Sequence, residues 1–113
     1  MSTIFTKIIN KELDANIVYE DDVCLAFHDI NPVAPTHVLI IPKKEINTIN
    51  DIEDIDKNTI GHLFVAAKNI AKDLSIDEDG YRIVFNCNDN GGQTVFHIHM
   101  HLLGGRKLLW PPG

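Results

Sequence analysis

Gly91-Gly92-Gln93-Thr94-Val95-Phe96-His97-Ile98-His99-Met100-His101-Leu102-Leu103-Gly104-Gly105 decides the reading of this chain. Three of its six histidines fall at 97, 99 and 101. On a strand, successive side chains point to opposite faces. A strand from His97 to Leu103, closed by Gly104-Gly105, therefore puts the three imidazoles on one face. Ile98, Met100 and Leu102 share the other face and supply the core contact that sets the register. Two residues of rise separate neighbouring imidazoles by ~7 Å. Three histidines in a row are expensive as packing alone, because each neutral ring has a donor and an acceptor to satisfy.

Working outward, Asn88-Asp89-Asn90-Gly91-Gly92 is the densest turn signal in the chain. Tyr81 to Asn86 alternates as a strand, with Ile83 and Phe85 on one face. Upstream, Ile60, Leu63, Phe64, Ala67, Ile70, Ala71 and Leu74 make one apolar stripe. They predict an amphipathic helix over 56–74, with His62 off the stripe. The acidic run Asp51, Glu53, Asp54, Asp56 reads as a solvated face and helix-start signal over a loop or short helical turn at 47–56. His37 to Ile41 is an apolar strand stopped by Pro42, and 29–35 is an extended loop held by Pro32 and Pro35. Strands at 17–20 and 24–28 flank Asp21-Asp22, and 2–12 reads as a short helix capped by Ser2. The tail Leu109-Trp110-Pro111-Pro112-Gly113 fits neither helix nor central strand. The sum is α+β, a single domain over 1–113. It has about five mostly antiparallel strands, a long amphipathic helix and a short N-terminal helix.

Length and composition agree. The chain has 113 residues, 44% hydrophobic and 23% charged, as expected of one packed domain. The longest apolar run, Leu63 to Ala67, is far short of the ~20 residues of a spanning helix. The start has no signal-peptide pattern, so a cytoplasmic protein is expected. The net charge of −6 argues against nucleic-acid or anionic-membrane partners, yet leaves room for a small phosphorylated ligand. Cys24 and Cys87 form no Cys-x-x-Cys pair and read as reduced, buried thiols.

The histidine row admits two chemistries. One is a metal site, since imidazole is a good zinc ligand and His37 adds a fourth. The other is phosphorus chemistry, in which one imidazole attacks and its neighbours move protons and hold charge. Asn90 to Thr94 favours the second. Its glycines let backbone amides approach an anion, and Gln93 and Thr94 add neutral donors.

The stretch 91–105 resembles the signature of the histidine triad superfamily, His-φ-His-φ-His-φ-φ with φ apolar. Ile4-Phe5, Lys7-Ile8-Ile9, Tyr19-Glu20-Asp21-Asp22, Ala26-Phe27-His28-Asp29-Ile30, Ala34-Pro35-Thr36-His37, Ile41-Pro42-Lys43-Lys44 and Trp110-Pro111-Pro112-Gly113 are similar to the nucleotide-binding branch of that superfamily. The resemblance implies a purine nucleoside phosphoramidase that hydrolyses adenosine or guanosine 5′-monophosphoramidates through a nucleotidyl-histidine, needing no cofactor or metal. By the same resemblance, His99 is the nucleophile and His101 protonates the departing amine. His97 and His37 complete the proton network, and Asn86, Gln93 and Thr94 contact the phosphate or leaving group. Asp29 takes the ribose hydroxyls, and Ile4, Phe5, Ile8, Phe27, His28 and Ile30 line the base pocket. The family forms homodimers in which the C-terminal segment approaches the partner's site, which gives Trp110 a use. Bland alternatives stand beside these: Asp29 as a turn former, the aliphatics and Phe27 as core, Trp110 packed on its own domain. A nucleotide-binding scaffold with little turnover and a dinucleoside polyphosphate hydrolase are the rival functions. Thr94 stands where serine is common. The third histidine is intact, where transferase branches carry glutamine.

Overall fold

A computed structural model describes residues 2–113. The order is α1 (Ile4–Ile9), β1 (Ile17–Glu20), β2 (Cys24–His28), β3 (Thr36–Pro42), α2 (Lys57–Asp73), β4 (Tyr81–Val84), α3 (Asn88–Gly91) and β5 (Met100–Gly104). The five strands form one sheet in the order β1-β2-β3-β5-β4, with every neighbouring pair antiparallel. This is the expected α+β architecture.

The central strands β2 and β3 are apolar on both faces, because both faces are covered. One face carries Cys24, Ala26, Val38, Ile40, Met100 and Leu102, packed under Leu63, Ala66, Ala67, Ile70 and Ala71 of α2. The other carries Leu25, Phe27, Leu39 and Ile41, packed against Phe5 and Ile8 of α1. That second face holds the site. Leu39 pairs with His101 and Leu103 with His37, so both histidines stand on the Leu39 side of the sheet.

Several expectations move. The N-terminal helix is shorter than 2–12, and Thr3 rather than Ser2 caps it, accepting from the Phe5 and Thr6 N–H groups. The fourth strand stops at Val84 instead of Asn86. The Asn88–Gly92 turn contains a helical turn, which Gly92 ends at φ +83°, a conformation that favours glycine. On α2, Ala66 joins the buried stripe while Phe64 lies half-exposed at its edge, its ring 6.2 Å from that of Phe85. Residues 47–56 form two short 3₁₀ turns, Ile49–Asp51 and Asp54–Asp56. Asp56 is not part of a solvated face. It is buried, accepts from the Glu53 N–H, and pairs with Lys44, which holds its carboxyl below the usual range. Of the two free thiols, Cys24 is buried and Cys87 only partly so.

Candidate active site

The largest correction concerns the histidine row. Only Met100 onward is strand. At 97–99 the chain leaves the β3 ladder, and the Ile98 N–H donates to the Ile46 carbonyl. The rings of His99 and His101 lie 5.0 Å apart, closer than two residues of strand rise would set them. His97 does not open on the cavity beside them. It is buried, and its Nε2 lies 2.7 Å from the Pro42 carbonyl.

His99 and His101 lie instead with His37 on the wall of a cleft of about 690 Å³, well sized for a small ligand. Ile4, Phe5, Ile8, Phe27, His28, Asp29, Ile30 and Thr94 line it with them, so most predicted site residues meet there. Sequence reasoning missed Leu13, Ala15, Val33, Leu39 and Val95 in the same wall. Leu39 was recoverable from strand alternation with His37; the others sit on loops with no periodic signal.

Besides His97, three predicted residues stand apart from the cleft. Asn86 does not line the cleft. Gln93 is buried, and its amide is spent on the loop. Its Oε1 accepts from the Asn88 N–H, and its Nε2 donates to the Asn47 and Val95 carbonyls. The amides of Gly92 and Gln93 likewise close the helical turn by donating to Asp89 and Asn88. That leaves Thr94 as the member of this segment facing the cleft. Trp110 is 81% exposed and touches no part of the site, while Arg82 holds the preceding Leu109 carbonyl at 2.9 Å.

Fixed donors and acceptors settle the proton on His99. A carbonyl only accepts, so His99 Nδ1, 2.9 Å from the His97 carbonyl, donates. The lone pair is then on Nε2. The edge of Phe5 supports the ring, with centroids 5.0 Å apart at 78°. His97 is arranged similarly: Nε2 donates to Pro42, leaving its buried Nδ1 without a partner. His37 and His101 are joined at 2.9 Å, Nε2 to Nδ1, and His101 Nε2 is also buried without a partner.

Burial pushes all four histidines toward the neutral form. For His101 the neighbouring His99 and His37 add to burial and bring it down to about 4. For His37 the nearby Asp29 carboxylate works against burial, as the bond to Pro42 does for His97 and the bond to the His97 carbonyl does for His99. A histidine lowered on folding binds fewer protons in the native state than in the unfolded one. Stability is therefore full above the unfolded value near 6.5 and falls as pH drops below it. His101 alone should cost on the order of 2 kcal/mol by pH 5. Chemical denaturation at pH 7 and pH 5 should show that loss, and equal midpoints would contradict it. Asp21 is not involved in that window. Burial opposes its ionisation, but bonds from Tyr19, His62 and the Cys24 and Val23 N–H groups hold its carboxyl well below the usual range.

Two sets of three side chains bring donor atoms within 4.8 Å among the described residues: Asp21, Cys24 and His62, and Asp29, His37 and His101. Both are committed to internal hydrogen bonds, Asp21 to His62 at 2.6 Å and His37 to His101. No helix of the described residues is long and apolar enough to cross a membrane.

Comparison with known proteins agrees with the fold. The model of the HIT domain matches residues 10–108. An uncharacterized HIT-like protein of Synechocystis is 54% identical over 111 residues, 98% of this chain and 96% of that one. The purine nucleoside phosphoramidase of Escherichia coli K12 is 53% identical over 106 residues, 94% of this chain and 89% of that enzyme. A crystal structure of a HIT family hydrolase from Legionella pneumophila Philadelphia 1 superposes with a TM-score of 0.97 at 53% identity, covering 99% of this chain and 100% of that one. With His37, His99 and His101 on the wall of a cleft and a family match over residues 10–108, this chain belongs to the HIT domain family.

Proposed function

We propose that the protein is a purine nucleoside phosphoramidase, a hydrolase that cleaves the P–N bond of adenosine or guanosine 5′-monophosphoramidates. One observation carries this reading. An imidazole whose lone pair is set on Nε2 by a backbone carbonyl stands in an apolar cleft beside a second imidazole and a carboxylate. The E. coli relative that is 53% identical carries the name of this activity.

In the proposed reaction His99 Nε2 bonds to phosphorus as the P–N bond breaks. The amine keeps the bonding pair and takes a proton from His101 Nε2. Water then attacks the nucleotidyl-imidazole and gives the nucleotide its oxygen and one hydrogen. Its other proton restores the one spent, and His99 is regenerated. The apolar wall of Ile4, Ile8, Phe27 and Ile30 takes the base, with His28 at its rim. Asp29 takes the ribose hydroxyls. Thr94 contacts the leaving group or phosphate. Gln93 and Asn86 act on that segment's shape. None of these steps calls for a cofactor or a metal.

The working form is proposed to be a homodimer. The outer edge of β4 is unpaired in the sheet order, and half-exposed Phe64 and Val65 of α2 offer apolar surface. Exposed Trp110 then has a second copy to reach. A cytoplasmic setting suits the free thiols.

Phosphorus NMR of adenosine 5′-phosphoramidate with the protein tests the activity. Conversion to AMP is expected. Binding of AMP without conversion would replace the enzyme with a nucleotide-binding protein.

A further inference from the structure

The loop 29–35 does more than carry Asp29. Its Val33 N–H lies 3.2 Å from His37 Nδ1. A backbone N–H can only donate, so His37 Nδ1 is an acceptor and the ring's proton is on Nε2. Independently, the Asp29 carboxylate lies 3.5 Å from that Nε2, where an N–H is attracted and a lone pair repelled. His37 Nε2 therefore donates to His101 Nδ1 at 2.9 Å. His101 must then carry its own proton on Nε2, the buried nitrogen without a partner. One main-chain amide thus fixes two tautomers in series. With the opposite polarity, His101 would turn a lone pair toward the oxygens of a phosphate.

The amide itself is held. The Arg106 Nη2 donates to the Val33 carbonyl at 3.0 Å, across 73 residues of chain. Beside it, Gly105 at φ +91° passes so close to the loop that an added Cβ would lie 2.8 Å from the Pro35 side chain. The exit of β5 therefore grips the loop at two points, although Arg106 is exposed and lies outside the cleft.

We propose that Val33, through its backbone N–H, and Arg106, through the Val33 carbonyl, are positioning residues that set the proton order of the His37–His101 pair. His101 then presents an N–H to the phosphoramidate. The kinetic part of this inference rests on the activity proposed above; the tautomer part does not.

Long-range ¹H–¹⁵N NMR of the full chain at neutral pH reads which ring nitrogens carry hydrogen. Wild type is expected to show both His37 and His101 protonated on Nε2 alone. Val33→Ala keeps the N–H and should keep that pattern. Val33→Pro removes the N–H and should give mixed tautomers at both rings, with kcat on the phosphoramidate about tenfold lower. Arg106→Ala, at an exposed position, should give mixed tautomers and a smaller fall in kcat, and it serves if the proline variant does not fold. A wild-type spectrum with His37 protonated on Nδ1 overturns the proposal, as does an unchanged pattern in both variants. The expected spectra without turnover by wild type would discard the activity and leave the tautomer lock standing.

Discussion

His99→Ala is expected to lower turnover of adenosine 5′-phosphoramidate by at least about 10⁴-fold while AMP still binds. The asymmetry follows from where the ring sits. Its Nε2 is the cleft nitrogen with a lone pair oriented by a fixed acceptor, because Nδ1 is tied to the His97 carbonyl. His101 does not replace it, since the bond from His37 occupies its Nδ1 lone pair and leaves a hydrogen on Nε2. The apolar wall and Asp29 remain, so affinity for the nucleotide product should change little. The alanine leaves a space beside Phe5, which keeps its edge contact with Phe27 at 5.7 Å. Rapid-quench kinetics for turnover and calorimetric titration with AMP measure the two quantities separately. Comparable turnover in both proteins would remove the covalent step from the mechanism.

Much of this cleft is legible in the sequence. The alternation of Met100, His101 and Leu102 is present as expected, because β5 lies between β3 and β4 and burial on the α2 face enforces its register. The helix stripe was legible for the same reason: Leu63, Ala67, Ile70 and Ala71 all meet the sheet. The expected cleft wall assembled as well, because residues flanking strands point where the strands send them. What failed was local. Period-two logic extended the strand back to His97, but the Ile98 amide pairs with Ile46 from the loop after β3, a partner that no periodicity encodes. Gln93 looked like a phosphate donor by composition. Three loop groups instead satisfy its amide, and one of them lies 46 residues away. Nor could the order of protons on the rings be read from residue types, since it depends on one amide and two carbonyls of the main chain.

His97 brings that distinction to a measurable point. As the first histidine of the motif it reads as a member of the proton network, yet its contacts are those of a brace. It is 1% exposed, its Nε2 donates to the Pro42 carbonyl at the end of β3, and its ring meets the edge of Phe5 at 6.0 Å. What it offers His99 is its main-chain carbonyl, which any residue there retains. His97→Ala should therefore cost about 3 kcal/mol of stability, from a cavity and an unpaired Pro42 carbonyl. The corresponding fall in melting temperature is roughly 10 °C. Activity per folded molecule should fall by less than about tenfold, about three or more orders short of the His99 effect. His97→Phe fills the space without restoring the bond, so it should recover part of the stability and isolate the cost of the lost hydrogen bond. Thermal unfolding and kcat measured well below the transition provide the comparison. A kcat loss in the folded alanine variant as large as that of His99→Ala would return His97 to the chemistry. A loss confined to stability would mean that the first histidine of the triad holds the wall on which the second one works.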